Sequence, residues 1–414
     1  MAAATDPVAP APAACDVLVI GAGPAGSACA QELARAGFDV VLADQQVFPR
    51  DKVCGDGLIP DAHRALERLG VLDEVLAHAR TATHVGCVGP RGGRVELPAH
   101  LAVLPRRELD EILRQSAIKA GVRWLAPARF DAPLLDPGQQ VIGAWLGLPA
   151  DASRVSHALR ARWTVLATGA ASVPLNAAGL CTRRTPSGMA LRGYVRNDAM
   201  VGRIKGLDVV WHRALRRGYG WIFPCAGDVF NIGVGITHSR ADAPDVNLRE
   251  LFSAFTRLYA PARELMEGGE ARGPLKGAPL RCSLEGAKWS RPGLLVAGEA
   301  AGSTYLFTGE GIGKALETGM LAAQAIVEGR DQRLGDAQVR ARYEAALHAL
   351  KPRFDAYEQA NRINNHPWLA DLLIWRARHS ESVKNRLSGV IEETHTPRNL
   401  VTAGGLLRTL LPSA

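Results

Sequence analysis

The sequence predicts an α/β protein: a discontinuous, doubly wound domain, an antiparallel-β domain inserted into it, and a C-terminal helical region. Three observations predict it. Residues 16–44 spell a strand, a glycine-rich turn, a helix and a second strand in immediate succession. Residues 293–328 repeat the passage from strand through glycine turn to helix far downstream. Between about 175 and 284, short alternating runs separated by Gly and charged turns replace both patterns.

The apolar run 16–20 is a candidate buried strand, followed at once by Gly21-Ala22-Gly23-Pro24-Ala25-Gly26. Gly21 permits the tight strand-to-helix turn, Gly23 lets backbone approach a pyrophosphate, and Gly26 lets the helix pack close to the strand. Pro24 and Ala25 open the helix, whose N terminus offers free N–H groups and a partial positive charge to a diphosphate. The helical pattern runs to Arg35 and stops at Gly37. Asp44 ends the next apolar run about 20 residues on, where a carboxylate accepts hydrogen bonds from ribose hydroxyls. Strand, glycines, helix and acid at matching spacing mark a Rossmann-type dinucleotide-binding unit.

Residues 61–79 carry apolar side chains at roughly helical spacing, and Pro105-Arg106-Arg107-Glu108-Leu109-Asp110 opens another helix that Gly121 ends. Residues 86–93 read as a turn between strands, and strand-like runs follow at 122–126, 141–146 and 163–167. From 336 the chain is helical and Arg-rich. The expected organisation is a disordered leader at 1–14, a discontinuous cofactor domain at 15–174 and 285–335, a β-rich substrate domain at 175–284, and a helical region at 336–414.

Composition excludes several classes. Among 414 residues, 47% are hydrophobic and 22% charged, which is ordinary for a folded globular protein. No apolar run approaches the roughly 18 residues of a membrane span. The leader lacks a basic region before an apolar core, so it does not read as a signal peptide. Seven scattered cysteines without a CxxC pair argue against a disulfide framework or a zinc site, and eleven unclustered histidines suggest no metal. These features together place the chain in the cytoplasm. The net charge of +8 comes largely from arginine, since all but eight of the 49 basic residues are Arg, spread along the chain and interleaved with acids. No aromatic-basic motif accompanies them, so nucleic acid is not an expected partner.

Three further segments give the chain a family resemblance. Phe48-Pro49-Arg50-Asp51-Lys52-Val53-Cys54-Gly55-Asp56-Gly57 follows the second strand. Gly218-Tyr219-Gly220-Trp221-Ile222-Phe223-Pro224 sits in the β-rich stretch, with Asn231-Ile232-Gly233-Val234-Gly235-Ile236 after it. Gly298-Glu299-Ala300-Ala301-Gly302 and Thr308-Gly309-Glu310-Gly311-Ile312 close the cofactor domain. With the glycine turn, these resemble the geranylgeranyl reductase family of FAD-dependent oxidoreductases, within the para-hydroxybenzoate hydroxylase-like flavoproteins. The resemblance spans roughly residues 14–330; no motif is recognised beyond.

The resemblance implies FAD as the dinucleotide, with Gly21, Gly23, Pro24, Ala25 and Gly26 at its diphosphate and Asp44 at its adenosine ribose. Arg106 matches a helix arginine that contacts the cofactor, and Gly298-Glu299 matches a Gly-Asp pair on the flavin side, with Glu a departure of one methylene. Gly309, Gly311 and Ile312 would run beneath the flavin ring. A second departure is Thr168, which stands where aromatic hydroxylases carry a carboxylate serving FAD and NAD(P)H. Lys52 to Gly57 resembles a Lys-Pro-Cys-Gly-Gly-Gly segment near the flavin. Cys54 then either shapes the pocket or hands a proton to substrate, with Lys52 as the competing source; the bland alternative is a buried, inert thiol. Tyr219, Trp221 and Phe223 alternate, so on a strand they share one face. That face is either core or, as in the family, the wall of a substrate cavity.

The implied activity is reduction of carbon–carbon double bonds in a hydrophobic isoprenoid or polyene, free, carrier-bound or membrane-borne. Electrons would come from NAD(P)H or another external reductant, including a separate reductase. Peripheral contact with the inner face of the membrane follows from such a substrate. The alternative is a flavin-dependent monooxygenase or, less well supported, a halogenase. Halogenases need a relay Lys where this chain has His84, and their WxWxIP signature is missing.

Overall fold

The computed structural model describes residues 11–150, 153–215, 217–238 and 246–397; residues 1–10 of the expected leader and 398–414 of the expected helical region lie outside them. The chain begins with β1 (Ala14–Ile20), α1 (Pro24–Arg35) and β2 (Val40–Ala43). Next come β3 (Gly57–Leu58), α2 (Pro60–Arg68), α3 (Leu72–His78) and the hairpin of β4 (Arg80–Val88) and β5 (Arg94–Val103). Helix α4 (Arg106–Lys119) leads through β6 (Arg123–Leu125) and β7 (Arg129–Leu135) into β8 (Val141–Ala150) and β9 (Ser153–Leu166). After α5 (Ser172–Ala177) come β10 (Gly188–Arg196), β11 (Leu207–Val210), β12 (Gly218–Pro224) and β13 (Val229–Thr237). Then follow α6 (Leu248–Leu258), α7 (Ala260–Glu267), β14 (Glu270–Ala271) and β15 (Lys276–Leu280). The chain continues with β16 (Ser290–Arg291), β17 (Leu294–Val296) and α8 (Ile312–Asp331). It closes with α9 (Asp336–Ala360), α10 (Arg362–Asn365), α11 (Trp368–His379) and α12 (Glu381–Ile391).

The first sheet has the order β16-β17-β9-β1-β2-β6, with β8 on β9 and β7 on β8. Its centre, β17 to β6, is parallel. Strand β1 is apolar without alternation because both its faces are covered: Val17 and Val19 pack with α1, α8 and α9, while Leu18 and Ile20 pack toward β7–β9 and α5. Helices α1 and α8 approach very closely, since a Cβ on Gly319 would stand 2.1 Å from the Ala25 carbonyl oxygen. The continuous helix expected at 61–79 is two helices, parted where Gly70 takes φ +72°.

The second sheet runs β14-β10-β13-β12-β11-β4-β5-β3, with β15 also on β10. Two expectations change here. Residues 57–103 contribute β3, β4 and β5 to this sheet, although they precede the stretch expected to form it. The sheet is also mixed, because β11 pairs parallel with β4, Leu207 opposite Val85. Both features are pairings between distant segments, which local alternation does not encode. Helices α10–α12 pack on the second sheet around Tyr305, Phe354 and Tyr357. A buried charge cluster locks the end of α12 onto α8: Lys314 Nζ lies 2.9 Å from Asp61 and 2.8 Å from Glu393, whose carboxylate also accepts from Tyr305 at 2.8 Å.

Candidate active site

The two sheets and the C-terminal helices enclose a cavity of about 930 Å³ that has a charged end and an apolar end. Gly23, the residue before the first turn of α1, forms the floor of the charged end. A Cβ on Gly23 would stand 3.6 Å from Arg106 Nη2 and 3.7 Å from Arg50 Nη2, so two guanidinium groups and a helix N terminus converge there. Both arginines are held by buried Asp110, which Arg106 grips through two bonds of 2.7 and 2.8 Å and Arg50 Nη1 approaches to 3.0 Å. Two cations share one carboxylate, which leaves positive charge for a ligand. Asp44, at the end of β2, accepts from the amides of Ala22 and Gln46, both at 2.9 Å; burial pushes its carboxyl above the ordinary value. Thr168 follows β9 and presents a buried hydroxyl without a hydrogen-bond partner among the described residues. A paired cationic cradle, a carboxylate at the end of β2 and an unpartnered hydroxyl fit an extended dinucleotide.

Gly26 serves the turn rather than the lining, whereas Gly21 does both. With φ +100°, Gly21 would put a Cβ 2.4 Å from the Ala167 oxygen, and Gly26 would put one 1.7 Å from the Gly21 oxygen. Gly298 is likewise internal, packed on Ala25, whereas Glu299 lines the cavity 3.8 Å from Lys52 Nζ. Pro24, Ala25, Gly309, Gly311 and Ile312 line it too. Gly309 takes φ +71° and lies against the Tyr219 hydroxyl, which donates to the Thr308 carbonyl. Within this loop, burial and the carboxylates of Asp61 and Glu393 push Glu310 up to about 8, so it stays protonated at neutral pH.

Cys54 lines the middle of the cavity. Burial, then the charge of Asp56, push its thiol above the ordinary value, so it holds its proton at neutral pH. Asp56 is fully buried with φ +65°. Its carboxylate accepts from the Arg106 amide at 3.3 Å, from Asn231 Nδ2 at 2.7 Å and from the Tyr194 hydroxyl. Asn231 in turn donates to the Cys54 carbonyl at 2.8 Å and accepts from the Trp221 indole at 2.9 Å. One carboxylate thereby joins the arginine cradle to the aromatic strand.

Burial lifts Asp56 from 3.8 to about 6, against the pull of Tyr194, Arg192 and Asn231. The folded chain therefore binds this proton more tightly than the unfolded chain. The resulting stability is complete below about pH 4 and is lost as pH rises through about 6, a difference of about 3 kcal/mol. Replacing Asp56 with Asn should remove that pH dependence. The melting temperature of Asp56→Asn relative to wild type should climb across this interval, and a pH-independent difference would show that Asp56 does not titrate there.

Tyr219, Trp221 and Phe223 share one face of β12, with ring centroids 6.3 and 6.4 Å apart, and all three line the cavity. Gly233 on the neighbouring strand makes room for them, because its Cβ would meet the Trp221 ring at 2.2 Å. Trp211 and Phe307 extend the row beyond Tyr219 at 6.1 and 6.4 Å. Leu373, Ile374, Leu387 and Val390 of α11 and α12 form part of the apolar lining. Truncating Trp221 to Ala should destabilise the fold by about 3–5 kcal/mol and raise the KM for a hydrophobic substrate while flavin content is kept. Unchanged melting and kinetics would contradict this.

Sequence reading missed Arg50, Asp56, Trp211, Phe307 and the α11–α12 lining. Arg50 and Asp56 stood inside a segment already singled out, and Asp56 stood where the resembling segment has Gly. That departure was the available signal. The others carry no local mark.

Comparison with known proteins gives the family of the chain. Residues 14–212 match the family model described as an FAD binding domain. A menaquinone reductase of Mycolicibacterium smegmatis is 34% identical over 345 residues, 76% of each chain. A digeranylgeranylglycerophospholipid reductase of Methanopyrus kandleri is 30% identical over 336 residues, 80% of this chain and 84% of that protein. The fold is shared with a geranylgeranyl bacteriochlorophyll reductase-like protein of Thermoplasma acidophilum, TM-score 0.70 at 22% identity over 96% of each chain. The protein is an FAD-dependent oxidoreductase. It belongs to the geranylgeranyl reductase family.

Proposed function

We propose that this enzyme reduces carbon–carbon double bonds in the polyprenyl chain of a hydrophobic substrate such as an isoprenoid quinone or lipid. The observation that carries this reading is the single cavity in which the arginine cradle continues into a wall of five aromatic rings and apolar helix faces. A flat aromatic wall suits an unsaturated chain, and burying it excludes water from the reacting carbons. The reductases among its relatives act, by their names, on menaquinone and on geranylgeranyl lipids, which supports the same substrate class.

Arg50, Arg106, Asp44 and the backbone at Gly23 would hold FAD, with Glu299 and the 308–312 loop toward its flavin. Once reduced, FAD supplies the hydride for this chemistry. The chain's own task is then to seat the double bond against Tyr219, Trp221 and Phe223 and to deliver a proton to the carbon next to the one that takes hydride. We assign that proton to the Cys54 thiol, which burial keeps protonated. The thiolate left behind is reprotonated from solvent before the next turnover. Lys52 is a weaker candidate, since its ammonium is engaged with Glu299 and the Val53 carbonyl.

The test is anaerobic. The purified protein is photoreduced, and polyprenyl quinone or geranylgeranyl lipid is added in detergent. Flavin reoxidation without oxygen, with a product heavier by two hydrogens, is the expected result. Reoxidation only on admitting air would overturn it in favour of oxygen chemistry. NAD(P)H, offered in place of light, should reduce the flavin if it is the external donor.

A further inference from the structure

Helix α11 carries its apolar residues on both sides. Leu369, Ala370, Leu373, Ile374 and Ala377 are buried, and Ala370, Leu373 and Ile374 line the cavity. On the opposite side Trp368 and Trp375 are 57% and 50% exposed. They stand seven residues apart, hence on one face, with Leu372 between them and the His379 ring tilted against Trp375 at 5.4 Å. Arg376, whose guanidinium lies 5.7 Å from the Trp375 ring, and exposed Arg378 flank this stripe on its two sides. The only carboxylate of the helix, Asp371, is engaged by Arg91 of the β4–β5 turn. The exposed face is therefore apolar at its centre and cationic at its borders.

We propose that this face of α11 docks the enzyme on an anionic lipid surface. Tryptophan is suited to the headgroup boundary, where its ring is shielded and its N–H remains wet. The flanking arginines match anionic headgroups. The helix then separates the bilayer from the cavity by its own thickness, with its other face already part of the apolar lining. A polyprenyl chain would pass from lipid to the aromatic wall without crossing bulk water. Among the described residues no helix is long and apolar enough to cross a membrane, so the contact is peripheral.

The experiment uses the flavin-loaded full chain and vesicles of phosphatidylcholine with or without phosphatidylglycerol. Co-sedimentation with the anionic vesicles, accompanied by a blue shift of tryptophan emission, is expected. Trp368→Ser/Trp375→Ser should abolish both while leaving flavin absorbance, melting temperature and turnover of detergent-dispersed substrate unchanged. Arg378→Gln should weaken binding about five-fold, the worth of one charge near an anionic surface. Equal binding by wild type and the tryptophan variant would overturn the proposal. So would a dimer, seen without lipid by ultracentrifugation and dissociated by the tryptophan substitutions, because the face would then meet a second copy. Docking does not depend on the assigned substrate: vesicle binding without polyprenyl turnover would overturn the proposed function alone, and turnover in detergent without vesicle binding would overturn docking alone.

Discussion

Gly23→Val should yield a folded protein that purifies without flavin. The backbone at Gly23 is extended, with φ −75° and ψ −172°, a conformation any residue adopts. A Cβ there meets nothing closer than the two guanidinium heads at 3.6 and 3.7 Å. The chain can therefore accommodate the side chain, whereas the space between the arginines cannot hold both valine methyls and a diphosphate. Overpacking of this kind costs about 3 kcal/mol, on the order of 100-fold in affinity, before the lost contacts are counted. Gly26→Val provides the contrast. Its Cβ would lie 1.7 Å from the Gly21 carbonyl oxygen, so α1 must separate from β1 and the fold itself should fail. Flavin absorbance and melting temperature distinguish the two outcomes. A Gly23→Val protein with full flavin content would remove residues 21–26 from the cofactor site.

Cys54→Ala should accept electrons at the wild-type rate yet reduce substrate about 10²–10⁴-fold more slowly, the usual worth of a positioned general acid. Photoreduction reports the first half-reaction and anaerobic reoxidation by polyprenyl substrate the second. Because burial and Asp56 hold the thiol above its ordinary range, it carries its proton at neutral pH, and the wild type should show a solvent isotope effect that the Ala variant changes. Cys54→Ser keeps a proton at this point but binds it more tightly, and should fall between the two. Lys52→Met should lose little by comparison, its charge being committed to Glu299. Normal reoxidation in Cys54→Ala, together with a collapse in Glu310→Gln, would move the proton source to the 308–312 loop.

The parts of this protein legible in its sequence are those that a short stretch of chain decides for itself. Gly21, Gly23 and Gly26 are constrained by one turn, and β1 is marked by an unbroken apolar run. The shared face of Tyr219, Trp221 and Phe223 is a matter of strand period alone, and Arg106 and Asp110 are one helical turn apart. Each relation spans few enough residues that backbone geometry fixes it whatever the rest of the chain does. Tertiary structure decided what depends on contact between distant segments. It put β3–β5 in the second sheet and brought Arg50 to the same carboxylate as Arg106. It also buried Asp56 among Tyr194, Asn231 and Arg106, and laid α11 and α12 along the apolar end of the cavity. Strand pairing and desolvation are properties of which surfaces meet, and no periodicity within a segment records its eventual neighbour. The sequence by itself therefore determined the cofactor unit and the aromatic strand; only the fold decided that they share one cavity, because that depends on packing between segments far apart in the chain.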